Sequence, residues 1–170
     1  MIPKNVPILI ACLALSSCCS SGPEWKVYFS PHGGAAAAIV DEIGKATNSV
    51  LVQSAYGLTS APITNALVAA RKRGVDVTVI LDKGQKTSSA TDILSRAGIT
   101  TLIDTNSGLA HNKIILIDGL VVITGSYNFS GNAEEDNAEN LLVIRDKKLV
   151  GKYMANRKLH EKHSEKYLGK

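Results

Sequence analysis

Two apolar runs, Ile114–Ile117 and Leu120–Thr124, flank the dipeptide Asp118-Gly119. An Asp-Gly pair between such runs is a strong signal for a two-residue β-hairpin turn, because both central residues must accept positive φ. Side chains alternate along a strand, so His111, Lys113 and Ile115 share one face of the outgoing strand. The return strand ends at Gly125, with Ser126 and Asn128 close behind. Folding the hairpin therefore brings Ser126 and Asn128 back beside His111 and Lys113.

The residue types gathered there have complementary chemistry. A Lys ammonium, an Asn amide and a Ser hydroxyl are suitable donors for the non-bridging oxygens of a phosphodiester, whose charge grows more demanding at a pentacoordinate transition state. An imidazole, titrating near neutral pH, can serve there as nucleophile or general acid. The plainer alternative is a buried hairpin with an incidental histidine. The tight conjunction of His-x-Lys with Gly-Ser-x-Asn favours an anion site that contains a base.

The full pattern His111-x-Lys113-x4-Asp118-x6-Gly125-Ser126-x-Asn128 resembles the signature of the phospholipase D superfamily. It is most similar to the small bacterial Nuc-like endonucleases, which carry one motif copy per chain. The likeness runs from about Lys26 to about His160 and includes Val27–Pro31, Val50–Gln85 and Asn132–Arg145. The resemblance implies a catalytic role for His111 and phosphate binding by Lys113, with Ser126 and Asn128 lining the pocket. It implies that Glu139 orients the catalytic imidazole by accepting from Nδ1, leaving Nε2 to attack phosphorus. Asp118 and Gly125 are implied as structural members of the motif, Asp118 holding the turn.

A single motif copy creates a stoichiometric demand. Transfer through a phosphohistidine needs one imidazole to attack and another to protonate the leaving oxygen. The chain has only His32, His111, His160 and His163, and no internal repeat. Similarity to single-motif members implies a homodimer in which a two-fold axis brings both copies of His111 into one composite site. A monomer using His32 is the competing arrangement. That chemistry needs no cofactor or metal, since Lys113 supplies the positive charge a divalent ion provides elsewhere. His160 and His163, at i and i+3, have no third ligand at helical spacing, so a solvated helix face is expected rather than a metal site.

Elsewhere strands and helices alternate. Lys26–Ser30, Ser49–Tyr56, Val75–Leu81, Ile99–Ile103 and Asn140–Arg145 read as strands, besides the hairpin. Helices are expected over Gly34–Ala46, from a Ser60 cap to Arg71-Lys72-Arg73-Gly74, over Ser88–Ala97, and from about Lys147. Gly33-Gly34 lacks the spacing of a phosphate loop. Tyr56, ending its strand, borders the ligand edge of an open α/β sheet. The expected fold is α/β: a mixed, largely parallel β-sheet flanked by helices on both faces, as the phospholipase D-like resemblance also implies.

The front of the chain reads as an export signal. Lys4 precedes a mostly apolar run from Val6 to Leu15, too short to span a bilayer. Leu15-Ser16-Ser17-Cys18 resembles a bacterial lipobox, with Cys18 the lipidated residue. Ordinary cleavage between Ser16 and Ser21 and an uncleaved anchor compete with it. Residues 1–21 are thus a signal peptide or lipoprotein signal and 22–170 a single catalytic domain. The expected location is periplasmic, or lipid-anchored to the cell envelope with membrane attachment through Cys18. All three cysteines precede Ser20, so neither a disulfide nor a Cys nucleophile serves the body.

Net charge is +4, and between Arg145 and Lys170 nine Lys or Arg stand against three Asp or Glu. Lys158, Lys162 and Lys166 would line one stripe if helical, either a solvated face or a track for a nucleic-acid backbone. Three function classes follow: a metal-independent nuclease acting on DNA or RNA without sequence preference, a phospholipase D-type hydrolase of membrane phospholipids, or a non-catalytic nucleic-acid-binding module. The intact set of His111, Lys113, Ser126, Asn128 and Glu139 argues against the last.

Overall fold

The computed structural model describes residues 22–106 and 108–169; the expected leader and Cys18 lie outside them. The elements are β1 (Glu24–Ser30), α1 (Ala35–Lys45), β2 (Ser49–Ser54), α2 (Ala61–Lys72), β3 (Asp76–Asp82), α3 (Ser89–Arg96), β4 (Thr100–Asp104), β5 (Lys113–Ile117), β6 (Val121–Gly125), α4 (Gly131–Glu135), β7 (Glu139–Arg145), α5 (Lys147–Glu161) and β8 (Ser164–Lys166). The strands form one sheet in the order β1-β7-β6-β5-β2-β3-β4-β8. The mixed α/β architecture is the expected one, but its parallel share is smaller. Only β2–β3 and β3–β4 run parallel, and the other five pairings are antiparallel. The cause is that the β5–β6 hairpin and β7 stand between β1 and β2, leaving β1 to close the edge against β7.

Strand alternation sends side chains to two apolar layers. Ile115, Ile117, Ile123, Leu141 and Val143 pack with Ile39 and Ile43 of α1, Ile63 and Leu67 of α2, and Leu94 of α3. Ile114, Leu116 and Val122 point the other way, onto Val150, Tyr153 and Met154 of α5. Each side chain fully buried in these layers contributes about 1.5–3 kcal/mol.

The hairpin turn takes the expected form. Asp118 (φ 52°) and Gly119 (φ 66°) both lie in the left-handed region, and Leu120 N–H donates to the Ile117 carbonyl at 2.9 Å. Asp118 also ties this turn to the start of β2. Its carboxylate accepts from Thr47 N–H, Thr47 hydroxyl, Asn48 N–H and Ser49 N–H, at 2.8–3.0 Å. Burial alone would raise its pKa, yet these donors together hold it below the usual aspartate range.

Local details differ from the sequence reading. Ser60 occupies the cap position of α2 without a side-chain capping bond; it is buried, and its N–H donates to the Phe129 carbonyl. Arg73 does meet helix-end carbonyls, but those of α1, donating to Ile43 at 2.9 Å. The expected basic stripe is broken up, because α5 stops at Glu161 and Lys166 belongs to β8. Arg145 is committed to Glu42 at 2.7 Å. Arg157 is 1% exposed and donates to the Val52 carbonyl of β2 at 2.9 Å.

Strand directions decide where the site lies. The carboxyl ends of β1, β2, β3, β4 and β6 and the starts of β5 and β7 all fall on one edge of the sheet. The Asp118 turn lies at the opposite end of β5, about 16 Å away at 3.3 Å per residue.

Candidate active site

His111 stands just before β5, on the loop that enters it, and is exposed. That loop is pinned from β3. Asp82, 4% exposed at the end of β3, accepts from Ala110 N–H at 2.9 Å and from Gly84 N–H at 2.8 Å. The residue before His111 is thereby fixed by a buried carboxylate on a different strand. Sequence reasoning missed Asp82; its only local signal is an acid ending an apolar run before Lys83-Gly84.

Lys113 opens β5 and is buried, opposite Ser54 of β2. Its Nζ lies 3.0 Å from His111 Nε2 and donates to the His111 carbonyl at 3.0 Å. Which group donates in the Nζ–Nε2 contact follows the tautomer of the imidazole. Tyr56 meets the His111 ring edge-on, centroids 5.2 Å apart, and Lys113 Nζ is 5.4 Å from the Tyr56 centroid. The expected position of Tyr56 beside the site is what the structure has. Burial lowers the Lys113 pKa below the usual lysine range, and the charge of Glu139 opposes that shift.

Glu139 is therefore near Lys113 electrostatically, but not in the expected contact. Its carboxylate accepts from Asn137 Nδ2 at 3.2 Å, while its N–H donates to Ser30 Oγ at 3.2 Å. Among the described residues no hydrogen bond joins it to His111. The imidazole precedes the strand and has turned Nε2 onto Lys113, so strand geometry does not hold Nδ1 towards β7.

The return arm brings back the remaining residues. Gly125 has φ 155°, and a Cβ there would lie 2.2 Å from the Asn140 carbonyl oxygen. Ser126, exposed, accepts at Oγ from Asn140 N–H at 3.1 Å and from Asn140 Nδ2 at 3.3 Å. Asn128 is half-buried, and its Oδ1 is a buried oxygen without a hydrogen-bond partner among the described residues. Between them Tyr127 is fully buried and donates to Glu134 Oε2 at 2.9 Å; the same oxygen accepts from Ala36 N–H at 2.9 Å. Burial pushes the Tyr127 hydroxyl pKa up, and Glu134 adds to it. This anchor locks the Ser126–Asn128 loop to α4 and α1.

His111, Lys113, Ser126, Asn128 and Glu139 are all carried to this edge, with Gly125 and Asn140 shaping it. Asp118 is not there. His32 lies in the β1–α1 connection, exposed, with its N–H on the Glu134 carbonyl. His160 and His163 depart from the expected solvated face: their Nδ1 atoms lie 2.8 and 3.0 Å from the carboxylate of Asp104. The third group comes from β4, beyond the reach of helical spacing.

Residues 39–158 match the family model described as cardiolipin synthase, phospholipase D-like domain. The chain is 45% identical over 131 residues to a phospholipase D of Rickettsia prowazekii, covering 75% of this chain and 63% of that protein. It thus spans less than two thirds of that relative's length. A mitochondrial cardiolipin hydrolase of Xenopus tropicalis is 37% identical over 93 residues, covering 54% of this chain and 44% of that one. The fold superposes on the crystal structure of Nuc, a phospholipase D family member from Salmonella typhimurium, with TM-score 0.81 and 33% identity, over 86% of this chain and 99% of that one. With His111, Lys113, Ser126 and Asn128 on one sheet edge and the family model matched across most of the fold, the chain belongs to the phospholipase D-like family.

Proposed function

We propose that this protein is a metal-independent phosphodiesterase that cleaves DNA or RNA without sequence preference. The observation that carries the reading is the 3.0 Å contact between Lys113 Nζ and Nε2 of the exposed His111, which puts a fixed cation beside the proposed nucleophile. Nε2 attacks phosphorus and the P–O bond to the leaving nucleoside breaks. The leaving oxygen takes a proton from the imidazolium of a second His111. Water then attacks phosphorus, giving its proton to that second imidazole, and the P–N bond breaks to release His111. Lys113 passes from His111 to a non-bridging oxygen, and Ser126 and Asn128 donate to the same group.

The second His111 comes from a second copy of the chain. Trp25, Val27 and Phe29 alternate onto one side of the edge strand β1 and are all exposed, Trp25 at 64% and Phe29 at 63%. Phe29 is registered with Asn140, the residue that holds Ser126. An apolar strip beside half a site supports an isologous contact across it. Export through the leader over 1–21, with Cys18 as lipid attachment point, completes the proposal and places the enzyme in the periplasm or on the cell envelope.

Nuc, matched over almost its full length, supports a nucleic-acid substrate. The phospholipase D and cardiolipin hydrolase relatives support the second reading, hydrolysis of membrane phosphodiesters. Plasmid, single-stranded DNA, RNA and phosphatidylglycerol–cardiolipin vesicles, each incubated with the purified protein in excess EDTA, separate the two. Cleavage of nucleic acid is expected; release of lipid headgroup alone would replace the first reading by the second.

A further inference from the structure

We infer that Asp104, His160 and His163 form a zinc-class metal site that clamps the end of α5 and β8 onto β4. The three offer ligand atoms that all lie within 4.8 Å of one another. Asp104 ends β4 with a carboxylate that is fully buried. Its Oδ2 is 2.8 Å from His160 Nδ1 and its Oδ1 is 3.0 Å from His163 Nδ1. The two rings meet edge-on at 5.3 Å.

Contacts outside the three ligand side chains also hold this spacing. Ser164 is registered with Asp104 in the β4–β8 pairing. Thr105 N–H donates to the His163 carbonyl at 3.2 Å, and Ser164 Oγ to the His160 carbonyl at 2.7 Å. Asn106 N–H, at 2.9 Å, holds the carboxylate from behind, the kind of outer contact that orients a metal-ligating group.

Two imidazole nitrogens and one carboxylate oxygen suit Zn²⁺ and its neighbours, whereas Mg²⁺ and Ca²⁺ take oxygen ligands. Zn²⁺ with bonds of about 2.0–2.2 Å separates tetrahedral ligands by roughly 3.4 Å. The two Asp104 contacts reach that by opening about half an ångström, and every other pair of ligand atoms starts within 4.8 Å. The His160 side chain is 20% exposed and that of His163 40%, which leaves an entry path and a fourth position for water. On binding, the proton each imidazole directs at Asp104 moves to Nε2 or to solvent.

The ion takes no part in phosphodiester cleavage. β4 lies three strands from β5 in the sheet order, a lateral separation of roughly 14 Å at about 4.8 Å per strand.

The test is a titration of the EDTA-stripped, dialysed full chain with Zn²⁺, followed by calorimetry and by the thermal midpoint, and with Co²⁺, followed by its visible absorption. Saturable binding of one equivalent, a raised midpoint and a tetrahedral Co²⁺ spectrum are expected. His111→Ala should bind equally well. His163→Gln, at the most exposed ligand, should weaken binding by at least about tenfold with its unloaded circular dichroism unchanged. Asp104→Asn should lose it. No saturable Zn²⁺ binding by the wild type, or binding unchanged in His163→Gln, would overturn the inference.

Discussion

Lys113 holds His111 twice, its ammonium lying 3.0 Å from the imidazole Nε2 and 3.0 Å from the same residue's carbonyl oxygen. One buried cation thus sets both the backbone and the ring of the residue proposed to attack phosphorus. Lys113→Met keeps much of the volume and removes the charge. It should lower the rate of phosphodiester cleavage by about 10²–10³-fold, the range for loss of one preorganised donor. Stability should stay level or rise, because the ammonium is buried at a cost. Single-turnover rates and denaturant midpoints measured side by side check both halves.

Gly125 is the point where the return strand passes Asn140 too closely for any Cβ. Gly125→Ala places that atom 2.2 Å from a backbone oxygen at a φ of 155°, so a shift of β6 or β7 must follow. A stability loss of about 2–4 kcal/mol is expected, together with loss of activity as Ser126 leaves the N–H of Asn140. Thermal melts and cleavage assays read these outcomes. An unchanged melting point would mean that the strands part here at no cost.

Asp118 contributes at the far end of β5. Its folded carboxyl is held below the ordinary value of 3.8, so its contribution is fully present above that pH. It is lost as pH falls through the lower folded value. Asp118→Asn should therefore be destabilised at neutral pH by about 1–3 kcal/mol, with the gap to wild type shrinking in acid. Activity per folded molecule should be retained. Urea unfolding across the acid range measures the convergence.

The exposed strip on β1 makes a separate commitment. Phe29→Glu changes a residue 63% exposed, so the monomer's own stability should move by no more than about 0.5 kcal/mol. Sedimentation should show wild type as a dimer and Phe29→Glu as a monomer, and cleavage should fall with the dimer fraction. A dimeric and fully active Phe29→Glu protein would place the second imidazole elsewhere.

What was legible in the sequence was local. The Asp-Gly turn, the strands on either side and the gathering of His111, Lys113, Ser126 and Asn128 follow from alternation and turn chemistry over eighteen consecutive residues. Contacts between distant segments were not legible. Asp82 reaches Ala110 across a strand, and Asp104 meets His160 and His163 more than fifty residues later. The expected pairing of Glu139 with the imidazole is not the contact the structure has, since its carboxylate accepts from Asn137 Nδ2; ring rotation at a residue outside the strand has no sequence signature. The three-residue β8 lacks the length for a period to show, so the tail read as helix alone. The parallel share of the sheet was overestimated for a related reason: the alternation of strands and helices does not reveal that β7 would pair with β1.

The measurement that bears most directly on the account is cleavage of plasmid DNA in excess EDTA by wild type and by His111→Ala. Wild type should cut, and His111→Ala should be slower by at least about 10⁴-fold with its melting point within a few degrees of wild type. Cutting by a folded His111→Ala protein, or loss of wild-type cutting in EDTA, would contradict the proposed chemistry.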